Sequence, residues 1–548
     1  MRSNSTDNYR KYYPHNASLA HIADLSRAPE YYHMVAVLLL LLSLVVAASV
    51  TASTSTYDLL VIGSGAAGLT AAKFAAKYGK SVAIVERDRY GGDCTWTGCV
   101  PSKAILAAAD AAHSVRTAAK YGIRQPGDAG AEATVAVDFP AVRARLRAII
   151  SQIYENDDSP EVLQKLGVQT FQGSARFLDP KTLEVTATGG SAASTDASAQ
   201  APQRLTARRG IVVATGARPR VPSIAGLEDV SHVTYEQIWD LESLPERLTV
   251  VGGGPIGVEL GQAFARLGAK VTLVSRRLLR SLEPEVDGEL ARALAADGVE
   301  LVRASAVAVE PIGATGGHRL RCSDGTIVSG DTLLTAVGRS PVVDGMGLEA
   351  LGARLNERGG LQVDAQLRTS LKGVFAAGDC TGDQQYTHYA GSQGGFAATN
   401  ALLLPAFAGV AKAPSAVPGC VFTSPEVARV GMNEAEARAA LGDAKVAVAF
   451  RPMSSVDRAV AASADPSEVR GFIKIVYRSS STAILGATIV GPSAGELASE
   501  IAVAMAGKVR ACQRRGREGW GSVGWWGVGG IVGATAAAAG GAGQRRLD

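Results

Sequence analysis

Cysteine is scarce: six residues in a chain of 548, too few for a disulfide-stapled secreted scaffold. Only Cys94 and Cys99 lie close together, so that pair asks for a chemical explanation. Aromatic residues make up 5% and charged residues 19%, against 47% hydrophobic and 62 Gly, which excludes a disordered polyelectrolyte and a polytopic membrane protein. An excess of one charge is also missing. Lys and Arg number 55 and Asp and Glu 51, and the last 40 residues alone hold six Arg against Glu518 and Asp548. The remainder is balanced, with no basic patch carrying interleaved aromatics before residue 509, so no nucleic-acid partner is expected. The length allows about three or four domains.

Long apolar runs are limited to one. Met34–Val50 is a 17-residue stretch followed by Ala52, Ser53 and Thr54. It sits at the lower edge of the ~17–25 residues a spanning helix needs, and the small residues after it suit cleavage, so a removed secretory or organellar targeting signal is favoured over a retained membrane anchor. The sequons at Asn4 and Asn16 precede it. Gly189–Gln203, rich in Ala, Ser and Thr, reads as an exposed insertion, and the Gly-, Ala- and Arg-rich end from Val509 reads as a low-complexity tail.

What is present in duplicate is a glycine loop between a strand and a helix. Tyr57–Ile62 is a short apolar strand, followed by Gly63-Ser-Gly65-Ala-Ala-Gly68 and a helix-like Leu69–Tyr78. Glycines here let backbone approach a diphosphate at a helix N-terminus. Glu86 closes the next strand, 23 positions after Gly63, where an acid can bind an adenosine ribose 2′-hydroxyl. The pattern returns at Leu248–Val251, Gly252-Gly-Gly254-Pro-Ile-Gly257, a helix over Val258–Leu267 and a strand over Lys270–Val274. That second strand ends in Arg276 and Arg277, with Arg280 close behind and no acid. Arg attracts a 2′-phosphate that an acid would repel, so NADPH is expected over NADH.

Between the loops stands Gly91-Gly-Asp-Cys94-Thr-Trp-Thr-Gly-Cys99-Val-Pro-Ser-Lys103, ahead of an Ala-rich helical stretch. If Cys99 opens that helix, the two cysteines lie within disulfide range and the helix start lowers the second thiol's pKa. Zinc is a competing use, but one Cys pair supplies two ligands and no second CxxC or His pair exists, so no metal site is expected. A plain structural disulfide is the other alternative.

Placed between two GxGxxG loops, this segment resembles the active-site segment of the flavoprotein disulfide reductases, the group of glutathione reductase, dihydrolipoamide dehydrogenase and mercuric reductase. Ala214-Thr-Gly216 and Gly373-Val-Phe-Ala-Ala-Gly378-Asp379 resemble its two further FAD motifs, and the resemblance runs from about Tyr57 to Lys508. It implies an α/β fold with two Rossmann-like dinucleotide-binding domains, for FAD and NAD(P), and a C-terminal α+β dimerisation domain. The implied division is a leader over 1–56, an FAD domain over 57–247, an NAD(P) domain over 248–345, a second FAD and central part over 346–410, an interface domain over 411–508 and a divergent tail over 509–548. The resemblance further implies a homodimer in which Cys94 and Cys99 form a redox disulfide. Cys99 would be the flavin-proximal thiol and Cys94 the interchange thiol that attacks the acceptor. Lys103 would lie near the flavin with Glu259 as its ion-pair partner, and Asp379 would bind the flavin's ribitol and diphosphate region.

The implied acceptor is a small disulfide or thiol-bound species. Glu259–Gly268 and Gln385–Ala390 are similar to mercuric reductases and their distant relatives, and Hg(II) reduction and dihydrolipoamide oxidation are alternatives. Mercuric reductases end in a vicinal Cys pair, whereas the late Cys512 stands alone. Pro255 stands where glutathione reductases carry a gating Tyr, which argues against glutathione. Trp96 replaces the commoner Asn between the cysteines. His388 reads as a packed or hydrogen-bonding residue. In these reductases a C-terminal His crosses the dimer as acid and base, a group typically worth ~10²–10⁴ in rate, and no His follows His388. Two readings stay open: a working reductase whose written C-terminus is an alternative one, and a flavin-binding protein with little acceptor turnover.

Overall fold

Leu59, Leu60 and Val61 sit in consecutive positions of the strand Thr54–Ile62 and are all fully buried, which requires cover on both faces of a sheet. The computed structural model describes residues 54–124, 135–188, 202–313, 316–403 and 416–511. In it the strands run in the order Val168–Gln172, Val82–Glu86, Thr54–Ile62, Gln203–Val213, Thr182–Thr186, Ser174–Asp179, with Val374–Ala376 also on Gln203–Val213. The pairings among the first four strands and Val374–Ala376 are parallel, and the other two are antiparallel. The first glycine loop, the end of Val82–Glu86, Ala214–Gly216 and Ala377–Asp379 therefore meet at the carboxyl edge of one parallel sheet, where such sheets bind ligands.

A second parallel sheet, ordered Glu300–Val302, Lys270–Val274, Arg247–Val251, Thr332–Thr335, carries the second loop. An antiparallel sheet of Ala306–Ile312, Gly317–Cys322 and Ile327–Gly330 packs beside it. The third unit is a five-stranded antiparallel sheet, ordered Gly419–Val421, Glu426–Gly431, Ile484–Gly491, Phe472–Arg478, Val446–Pro452, with the helix Ala494–Ala506 against it.

Three expected edges move. Thr54–Thr56, assigned to the leader, pair with Arg204–Thr206 as part of the first strand. Gln203, placed in the insertion, opens a strand. Val509–Ala511, placed in the tail, stay on the third sheet, with Arg510 bridging Ala483 and the Ala511 N–H donating to Thr482 O. The apolar run 34–50, both sequons, residues 189–201 and the tail from Cys512 lie outside the described residues. Among the described residues no helix is long and apolar enough to cross a membrane.

His318 ties the antiparallel sheet to the second parallel one. It is fully buried, its Nε2 lies 2.8 Å from Thr249 Oγ1 and its Nδ1 has no partner. Burial pushes its pKa down to about 4 from 6.5. The unfolded chain then binds the proton that the folded chain refuses, so stability is full above about pH 6.5 and is lost as pH falls towards 4, by about 3 kcal/mol. Urea denaturation across this window should show a smaller acid loss in His318→Gln than in the parent. Parallel curves for the two proteins would remove His318 from the acid response.

Candidate active site

The two glycine loops are built alike. Gly63 and Gly252 have φ of +94° and +124°, and a Cβ on them would stand 2.4 Å from Ala214 O and 2.3 Å from Ala336 O. A Cβ on Gly68 or Gly257 would stand 1.9 Å from the carbonyl oxygen of Gly63 or Gly252. These four positions bring strand, turn and helix together. Gly65 and Gly254 differ, because a Cβ on them would enter open space, with only Gly92 Cα as near as 4.0 Å to the first and nothing within 4 Å of the second. Both are N-caps without a side-chain cap, and neither helix has an acid in its first turn. The first N–H groups and the positive helix end are thus left for an anion such as a diphosphate.

Glu86 stands beside the first loop, its Oε2 accepting from Ser64 N and Ser64 Oγ at 2.8 Å each. Gly216 has φ +73° with open space beside it. Gly378 has φ +80°, and a Cβ there would lie 3.2 Å from that of Ala67, which closes the second FAD motif onto the helix of the first loop. Asp379 follows, 3.1 Å from Arg339; burial raises its carboxyl pKa and Arg339 opposes the rise. An uncapped helix start, an acid at the ribose position and a second polar group at the same sheet edge fit FAD. At the second loop Arg276 and Arg280 are exposed. Arg277 instead donates to Leu282 O at 3.3 Å, within its own turn.

Cys99 is the first residue of the helix Cys99–Thr117, and Cys94 sits in the short helix Gly92–Trp96. Both are thiols. Hydrogen bonding from the Cys94 thiol is the main cause that lowers the Cys99 thiol to about 6; burial opposes it, and the Thr387 hydroxyl and Lys103 charge assist. The same bond, with burial, pushes Cys94 far above the ordinary thiol range. Cys99 is thereby the more acidic of the two thiols. Thr387 Oγ1 lies 3.1 Å from Cys99 Sγ.

One turn along the same helix, Lys103 Nζ pairs with Glu259 Oε2 at 3.2 Å. Glu259 is buried, and its Oε1 accepts from Phe422 N at 3.0 Å. The Phe422 ring lies 4.0 Å from Lys103 Nζ. The expected pair is thus assembled from three distant parts of the chain. His388 Nε2 lies 2.8 Å from Pro418 O, with its ring stacked on Tyr386, a hydrogen-bonding role as the sequence suggested.

Sequence reasoning missed Thr387, Tyr235 and Arg339. Thr387 falls inside a stretch that was noted only for its resemblance. Arg339 pairs with both Asp93, next to Cys94, and Asp379, and Tyr235 donates to Asp93 at 3.3 Å. Its position just after Gly338 gives no pattern, because its partners lie at separations that only the folded chain closes.

The family described as pyridine nucleotide-disulphide oxidoreductase matches residues 57–394, and its dimerisation domain matches 417–514. A mercuric reductase of Streptomyces lividans is 35% identical over 448 residues, 80% of this chain and 88% of that protein. Dihydrolipoyl dehydrogenase 2 of Haloarcula marismortui is 35% identical over 453 residues, 81% and 89% of the two. Among solved structures, the Cu(II) complex of the HOCl-induced flavoprotein disulfide reductase RclA from Escherichia coli aligns with a TM-score of 0.68 at 25% identity, over 83% of this chain and 94% of that one. With the glycine loops and the thiol pair, these matches make the chain a member of the pyridine nucleotide-disulphide oxidoreductase family, an FAD-dependent enzyme that uses a pyridine nucleotide and carries the family's dimerisation domain.

Proposed function

We propose that the homodimer reduces a small disulfide or thiol-bound acceptor with NADPH, through a Cys94–Cys99 disulfide. The observation that carries this reading is the Cys99 thiol, held by Thr387 and Cys94 at a helix start with the Lys103–Glu259 pair one turn away. Bound FAD would supply the relay of an electron pair from the reduced nicotinamide to the sulfurs. The pair opens the bridge, leaving Cys99 as thiolate and Cys94 free to take a proton. Cys94 passes its proton to the neighbouring Cys99 thiolate as it attacks the acceptor disulfide and releases one thiolate; Cys99 then attacks Cys94, its proton going to the second leaving sulfur, and closes the bridge again. Each cycle consumes one NADPH and one proton and yields two thiols.

Gly252, Gly254 and Gly257 would hold the nucleotide, and Arg276 is favoured over Arg277 for the 2′-phosphate because its side chain is exposed and Arg277 is bonded into its turn. The kcat/KM ratio of NADPH to NADH should favour NADPH, and Arg276→Glu should cut that ratio by ~10-fold or more. Preference for NADH in the parent would overturn the assignment. Stopped-flow reduction by NADPH, then reoxidation by dithiol-disulfide acceptors, separates a working reductase from a flavoprotein with little turnover: rapid reoxidation supports the first, and a negligible second phase the other.

A further inference from the structure

The loop that carries the two cysteines is gripped on several sides. Trp239 Nε1 donates to Thr97 O at 3.0 Å, and Arg339 and Tyr235 hold Asp93. A further hold comes from one turn of π-helix, Tyr154–Asp158, which follows the helix Phe139–Ile153. Such turns are rare and gather at functional sites. From its end, buried Asp158 accepts from buried Thr95 Oγ1 at 2.6 Å. From its start, Tyr154 packs on Trp96 with ring centroids 5.0 Å apart. On its other flanks Trp96 is fixed by its Nε1 donating to Tyr90 O at 2.6 Å and by the Arg89 guanidinium 4.6 Å from its ring. Consecutive residues of the loop, Thr95 and Trp96, are therefore both tied to a single turn of another helix.

We propose that the π-turn Tyr154–Asp158 is a clamp on this loop, and that Tyr154 and Asp158 are positioning residues which set the thiol–disulfide equilibrium of Cys94 and Cys99. The inference rests on the reading of that pair as the redox centre. Bridging two thiols requires ordering the chain between them. A loop already held by Asp158 and Tyr154 has lost that freedom beforehand, so the effective concentration of one thiol at the other is high. Holding the loop favours the disulfide; loosening it favours the dithiol.

The test is equilibration of the FAD-loaded protein with glutathione and glutathione disulfide, counting the Cys94 and Cys99 thiols by alkylation and mass. Two protein thiols are oxidised as one glutathione disulfide is reduced to two glutathiones. Tyr154→Ala and Thr95→Val should each shift the equilibrium towards the dithiol by about tenfold, ~30 mV for this two-electron couple. Tyr154→Phe, which keeps the ring, should retain the parent value. Thr95→Val acts from the loop side, so a Tyr154→Ala protein that does not fold still leaves a decisive variant. Unchanged equilibria in the folded variants overturn the clamp alone. A parent protein in which the two thiols never bridge overturns the redox-pair reading and the clamp with it.

Discussion

Replacing Cys94 or Cys99 with Ser removes disulfide turnover, by ~10³-fold or more, while FAD stays bound. The two losses have different causes. Without Cys99 the thiol at the helix start is gone, and Thr387 and Lys103 are left near a hydroxyl that does not ionise at neutral pH. Without Cys94 the remaining thiol loses the hydrogen bond that contributes most to its low pKa, and nothing attacks the acceptor. Cofactor binding is spared because the groups assigned to FAD lie in the glycine loop, at Glu86 and around Gly378. Yellow, FAD-replete variants without turnover are the expected result. Turnover persisting in both would remove the dithiol mechanism.

Lys474→Met should destabilise the protein by about 3–5 kcal/mol, the usual effect of orphaning a buried charge. Lys474 is 4% exposed on the strand Phe472–Arg478, yet its Nζ pairs with Glu283 at 3.1 Å, Glu285 at 2.8 Å and Glu434 at 2.9 Å. Burial alone would lower its pKa, but hydrogen bonds to the three carboxylates hold it above the ordinary lysine value. Glu283 is the N-cap of the helix Pro284–Ala296 and is 2% exposed, so removing the ammonium leaves a buried carboxylate with Glu434 N as its remaining donor. The cluster fastens the helix Pro284–Ala296, next to the second nucleotide sheet, to the antiparallel sheet of the third unit. Urea denaturation measures the loss, and adding Glu283→Gln to Lys474→Met should recover part of it, since the stranded charge is then gone. A Lys474→Met protein as stable as the parent would show that the ammonium contributes nothing net.

The nucleotide loops were legible in the sequence because their requirements are local. Gly63 and Gly252 need positive φ, and Gly68 and Gly257 need contact with a carbonyl oxygen five residues earlier, so spacing alone announces them. Cys99 at a helix start is equally local, since Gly98 and Pro101 flank the turn where that helix begins. Arg339 and Asp158 lay beyond reach. Each serves the cysteine loop from a remote segment, and burial against Asp93 or Thr95 is settled by tertiary packing that leaves no periodicity in the chain.

The central claim is that electrons from a reduced pyridine nucleotide come to rest on these two sulfurs. Anaerobic titration of the FAD-loaded protein with NADPH, followed by the flavin absorbance and by alkylation of newly exposed thiols, tests it directly. Uptake of one electron pair by the flavin and a further pair by the Cys94–Cys99 bridge is the expected result, with that second pair lost in Cys94→Ser. Flavin bleaching with no gain of thiols at Cys94 and Cys99 would contradict the account.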